Sequence, residues 1–111
     1  RYNIVKISFE NTWRPLPSNV TIKKSSIDGL GLFAVEDIPP STDLGLMRFN
    51  YHGSLIRTAL GSFPNHCEDA SCVNIAKINS YGDEEYNLWT LKEIKAGDEL
   101  TVCYQMKQYY S

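Results

Sequence analysis

The feature that most constrains this chain is the spacing of its turn signals. "RPLPSN", "SSIDG", "IPPSTD", "NYHG", "SYGDE" and "KAGDE" recur at short intervals, and no long segment between them carries helical periodicity. The intervening runs, "VTIKK", "LGLFAV", "CVNIAKIN", "YNLWTL" and "ELTVCY", are rich in β-branched and aromatic residues, the pattern of many short strands. "VNIAKIN" alternates apolar and polar residues, as a half-buried strand should. After "SYGDEE", the run "YNLWTL" is expected to return beside it as a hairpin partner. "SLIRTALGSF" has room for a short turn of helix before its Gly. The fold class expected is mostly β, built as several short twisted sheets.

At 111 residues the chain is read as a single domain, 1–111, long enough for one core. No apolar run approaches the ~20 residues of a membrane span, and "RYNIVKISFENTW" lacks the apolar centre of a secretory signal. A formal net charge of −2 with dispersed lysines argues against nucleic-acid or anionic-membrane binding. Three cysteines cannot all enter a disulfide framework, so a reducing, cytoplasmic setting is expected.

The stretch Leu60 to Cys72, "LGSFPNHCEDASC", concentrates the reactive residue types. A metal site would use His66, Cys67 and Cys72, completed by Cys103 or His52. Adjacent His66 and Cys67 are poorly placed to share an ion, and there is no CxxC. A nucleophilic Cys67 or Cys72 would need a base, yet neighbours on an extended chain point opposite ways. The third reading is a tight loop whose Asn and His bond to backbone, with small buried cysteines. The stretch alone leaves these open.

Its neighbours narrow the choice. With "SSIDGLGLFAVEDI" (Ser25 to Ile38) upstream and "LKEIKAGDELTVCY" (Leu91 to Tyr104) downstream, the chain resembles the SET-domain family of lysine methyltransferases. The order is G-x-G with an apolar-aromatic pair, then N-H, then a closing "GDEL-T-x-x-Y". The centre, "IRTALGSFPNHCEDASC", is similar to small stand-alone members from bacteria and viruses, of phage-like type. The resemblance covers Val20 to Tyr104.

It implies a β-clip-like SET domain with a knot-like threaded C-terminal segment. It also implies methyl transfer from S-adenosyl-L-methionine to the side-chain amine of a lysine on a protein or peptide substrate. Gly29, Leu30 and Gly31 would wrap the methionine part of the cofactor, and Asn65 and His66 would bond its amino and adenine groups. Tyr104 would be catalytic, setting its hydroxyl near the methyl and orienting the amine. Arg57 and residues 58–63 would line the cleft, and Tyr109 and Tyr110, with Met106, would wall in the lysine. A homodimer through the aromatic C-terminus, and host cytoplasm for a viral member, complete these expectations.

The chemistry suits such residues. Neutralising a lysine of pKa ~10.4 at pH 7 costs roughly 4.6 kcal/mol, so the site must desolvate the ammonium. Glycine backbone approaches a ligand closely. A phenol of pKa ~10 is a poor base at pH 7, so Tyr104 would act by positioning and electrostatics.

Three positions depart from the family. Cys67 stands where Ser is usual, and Ala70 and Ser71 stand where Pro and Asn are usual. The change implies a looser loop, and the alternative is a catalytically weak or inactive SET-fold module that binds cofactor or partner without turnover. Only "QMKQYYS" follows Tyr104, without a cysteine, so neither metal nor the post-domain zinc segment is expected. The short segment between Ile38 and Ile56 implies peptide reading by backbone pairing at a sheet edge. Phe33 and Trp89 are expected in the core, and Asp83, Glu84 and Glu85 at a solvated hairpin tip.

Overall fold

The computed structural model describes residues 15–109, of which 104–109 are described by backbone alone. Eight strands and one helical turn follow in chain order: β1 (Val20–Lys24), β2 (Leu30–Ala34), β3 (Asp43–Tyr51), β4 (Ser54–Arg57), α1 (Ala59–Ser62), β5 (Asn65–His66), β6 (Cys72–Ile78), β7 (Glu84–Thr90) and β8 (Glu99–Tyr109). One path of pairing runs β1-β2-β8-β6-β7-β3-β4, with β5 also on β8. The mostly β class is as the turn spacing predicts, and β8 joins the β1–β2 pair to the larger sheet.

Each hairpin is made by its turn chemistry. In the β3–β4 turn, His52 and Gly53 take φ of 51° and 82°, both in the left-handed region. That is the two-residue geometry whose twist matches paired strands, and it sets Tyr51 opposite Ser54 and Arg48 opposite Arg57. In the β6–β7 turn the Asn79 side chain accepts from the backbone N–H of Tyr81 (2.9 Å) and Asp83 (3.0 Å), with Gly82 at φ 86°. The tip is more than solvated charge: Glu84 accepts from the Tyr86 hydroxyl at 3.0 Å and Glu85 from Asn79 at 3.0 Å.

Strand β7 returns beside β6 as the expected hairpin partner and alternates, burying Tyr86, Leu88 and Thr90. Thr90 is buried with its hydroxyl satisfied, donating to Pro39 O (2.7 Å) and accepting from Thr42 N–H (2.9 Å). Strand β6 does not follow the alternation. Cys72, Val73 and Ala76 are buried while Ile78 is exposed: successive residues at the start of β6 are buried, so both of its faces are covered there and its end is open. Asn74 shares the face of Cys72 and Ala76, a polar residue set into a core stripe.

The core gathers Val20, Leu32, Leu88 and Leu100, all at 0% exposure, with Ile38 and Ile94. Those two isoleucines exchange backbone hydrogen bonds of 2.7 and 2.9 Å across an isolated bridge. Phe33 and Trp89, expected in the core, are only half-buried; Phe33 has the Lys23 ammonium 5.7 Å from its ring centre.

Candidate functional site

Strand β8 organises the site. It runs antiparallel to β2 through Leu100, parallel to β5 through Thr101 and Val102, and parallel to β6 from Val102 onward. Along β6 the pairing steps from Cys72 to Asn74, whereas along β8 it steps from Val102 to Lys107. One residue of β6, Val73, therefore stands against four of β8, and the segment 103–106 bows out of the ladder. Tyr104 lies on this bow. Its side chain is outside the described residues, as is that of Tyr109, whose backbone pairs with Ala76. Tyr110 lies wholly outside them.

Beside the bow is a cleft of about 430 Å³ lined by Met47, Arg48, Arg57, Gly61, Ser62, Pro64, Asn74, Val102 and Cys103. Its α1 wall is held by Thr58, whose N–H donates to Met47 O (3.0 Å) and whose hydroxyl donates to Leu46 O (2.7 Å). Gly61 is required by packing, because a side-chain carbon there would collide with the Met47 carbonyl. Arg57 lines the cleft, so of the expected substrate-channel residues it is the one whose side chain is placed here.

The expected cofactor residues form a second cluster. The β1–β2 loop is closed by Ser25, whose N–H donates to Gly29 O (2.8 Å) and whose hydroxyl accepts from Ile27 N–H (2.9 Å). The same hydroxyl donates to the Glu99 carboxylate at 2.8 Å. The Asn65 amide nitrogen lies 2.8 Å from Glu99 Oε2, 3.0 Å from Ser25 Oγ and 3.1 Å from Asp28 O. Asn65 thus ties the Gly29-Leu30-Gly31 loop to the start of β8, and its carbonyl oxygen is what its side chain has left for a ligand. A carbon added at Gly31 would run into the Glu99 carboxylate, whereas one at Gly29 would meet nothing within 4 Å. The outer edge of the loop at Gly29 and Leu30 is open; Leu30 is 53% exposed and His66 is exposed on β5. These five residues do not line the cleft, but Asn65 adjoins Pro64 and pairs with Thr101, one residue before Val102.

The departures from the family receive a specific answer. Ser71 and Thr101 exchange hydrogen bonds: Ser71 N–H donates to Thr101 Oγ1 (3.2 Å), and Thr101 N–H to Ser71 Oγ (3.1 Å). Ala70 is buried beside them. The loop expected to be loose is therefore fastened to β8. Cys67 N–H donates to Val102 O at 3.0 Å, anchoring the other end.

The structure bears on the metal reading and on Cys72 as a nucleophile. Among the described residues no group of three or more His, Cys, Asp or Glu is arranged to hold a metal ion. His52 sits in the β3–β4 turn with its ring against Tyr51, centroids 4.1 Å apart. Burial pushes the Cys72 thiol from 9.0 up to about 11, only partly offset by its hydrogen bond with Ser71, so it is protonated and inert at neutral pH.

Ser25, Glu99, Arg48 and Asn74 were not singled out from the sequence. Ser25 and Glu99 lie inside the quoted motifs, and Arg48 follows from the register of the "YHGS" turn.

No protein-family model matches the sequence, and no curated protein sequence matches it significantly. Solved structures do match in three dimensions. A Plasmodium falciparum protein named as a histone methyltransferase aligns with a TM-score of 0.66 at 18% identity, covering 80% of this chain and 95% of that one. A humanized mutant of the Chaetomium thermophilum Polycomb Repressive Complex 2, bound to an inhibitor, aligns at 0.63 and 22% identity over 78% of this chain. The same complex, in an autoinhibited conformation bound to S-adenosylmethionine, aligns at 0.64 and 21% identity over 78% of this chain. The chain spans about 15% of the length of those Polycomb chains. At these identities the likeness establishes the fold, which is that of the SET-domain histone methyltransferases.

Proposed function

We propose that this SET-fold chain transfers methyl from S-adenosyl-L-methionine to the side-chain amine of lysine on a protein. The observation that carries the reading is the convergence on β8. Asn65 ties the Gly29–Gly31 loop to Glu99 and pairs with Thr101; Val102 and Cys103 line one cleft with residues of the 57–64 stretch, and the backbone of Tyr104 follows directly.

The residues present fit such a cofactor. The open edge at Gly29 and Leu30 leaves backbone for a ligand to lie against, and Asn65 Oδ1 and exposed His66 border it. When bound, the cofactor supplies an electrophilic methyl on a sulfonium. The chain's part is to hold and orient. Met47, Pro64 and Val102 give the cleft apolar walls that desolvate an entering amine and lower its pKa. Tyr104, on the bow of β8, would orient that amine. Strand β4, exposed throughout and at the end of the sheet, offers an edge on which an extended peptide can pair. A cytoplasmic location belongs to the same proposal, as does a protein substrate of unassigned identity.

The test is calorimetric titration with S-adenosylmethionine, beside Asn65→Ala, followed by tritiated methyl transfer to protein extracts. Binding weakened by Asn65→Ala together with labelled protein is the expected result. Heat stabilisation by cofactor without transfer would instead favour the inactive module. Absence of both binding and heat stabilisation would overturn the reading.

A further inference from the structure

Oxygen atoms ring one end of the Asn65 side-chain amide. Glu99 Oε2 lies 2.8 Å from its nitrogen, Ser25 Oγ 3.0 Å, Asp28 O 3.1 Å and Leu30 O 3.4 Å. Carboxylate and carbonyl oxygens can only accept, and the Ser25 hydroxyl already donates to Glu99 at 2.8 Å. An amide oxygen in that place would meet acceptors on every side, so the nitrogen turns inward and Oδ1 outward. Among the described residues Oδ1 takes no hydrogen bond, and it is not buried.

Glu99 brings the charge to this ring. Its carboxylate rests against Gly31, and its donors are the neutral Ser25 hydroxyl and Asn65 amide. Among the described residues no Lys or Arg pairs with it. Its bond to Asn65 is therefore the charge-assisted one, the firmest hold on the amide, and its charge is left to a cation from outside.

We infer that Glu99 is a positioning residue that gives the loop its preference for an ammonium ligand. It holds Asn65 with an acceptor outward, which suits an N–H donor, and its own charge stands one amide group behind and favours a cation there. Resting on the methyl-transfer reading, this deepens it: the amino group of S-adenosyl-L-methionine is the ligand, and Glu99 selects it through Asn65.

The first measurement is independent of cofactor: hydrogen exchange of the Asn65 side-chain amide, followed by ¹⁵N NMR. Glu99→Gln keeps the shape of the carboxylate and removes its charge, and should speed that exchange at least about tenfold. Equal exchange in the two proteins would overturn the proposal. So would an unprotected Asn65 amide in the unmodified protein, which needs no variant to fold.

The second measurement compares, by calorimetry, S-adenosylmethionine with a deaminated analogue carrying hydrogen in place of the amino group. The unmodified protein should bind the amine-bearing form at least about tenfold more tightly, and Glu99→Gln should cut that preference to about threefold or less. A Glu99 that merely supports the fold would weaken both ligands alike, and that result would overturn the proposal, as would the lack of any amine preference in the unmodified protein. If neither ligand binds while the Asn65 amide is protected by Glu99, the methyl-transfer reading alone falls. If both bind and that amide exchanges freely, the role of Glu99 alone falls.

Discussion

The Asn65 amide nitrogen lies 2.8 Å from Glu99 Oε2, and this contact joins the short strand after the helical turn to the start of β8. The same carboxylate fills the space beside Gly31. Gly31→Ala should therefore destabilise the fold by about 1–3 kcal/mol, the overpacking range. Combining it with Glu99→Ala should cost less than the sum of the two, because the second change removes the group the new methyl strikes. Urea denaturation of the four proteins of the cycle checks this. Strict additivity would mean that the carboxylate is not what excludes a side chain there.

Ser71 and Thr101 fasten the loop after His66 by two reciprocal bonds. Ser71→Ala removes the hydroxyl that accepts from the buried Thr101 N–H, at a cost of about 1–3 kcal/mol. A thermal melt should show a fall of several degrees. An unchanged melting temperature would show that the loop is held by its other contacts.

Gly61 packs against the Met47 carbonyl with no room for a side chain. Gly61→Ala must push α1 off β3, and the cleft wall moves with it. Expected are a loss of about 2 kcal/mol or more in stability and a change in the ¹⁵N shifts of Met47 and Arg57. Stability and shifts like those of the unmodified protein would refute the close packing.

The Cys72 thiol titrates near 11 when folded against 9.0 in an open chain, because burial disfavours its thiolate. Below pH 9 both states hold the proton and the group is silent. Between about 9 and 11 the unfolded state loses the proton first, so stability falls as pH rises, by roughly 2–3 kcal/mol in all. Relative to Cys72→Ala, the unmodified protein should lose more stability across that window. Parallel pH profiles for the two proteins would contradict the shift.

On the methyl-transfer proposal, Tyr104→Phe should reduce turnover by about a hundredfold or more while leaving cofactor affinity within a few-fold. Single-turnover transfer and calorimetry read the two separately. Equal loss of both would make Tyr104 a binding or folding residue.

The local chemistry of the chain was enough to determine its hairpins. "YHGS" carries a two-residue turn that fixes β3–β4 register, including Arg48 opposite Arg57, and "NSYGD" closes β6–β7 around the Asn79 side chain. Such turns act over four or five residues, which is the range a linear reading covers. The tertiary structure alone decided that the last strand runs through the middle, between β2 and β6, with β5 beside it. Those pairings join residues tens of positions apart, and what selects them is burial of Leu32, Leu88 and Leu100 in one core against the entropy of closing long loops. Hence the alternation of β6 misled, since a strand covered on both faces need not alternate. Hence also Glu99, unremarkable within "GDEL", became the group that meets Ser25, Asn65 and Gly31 at once.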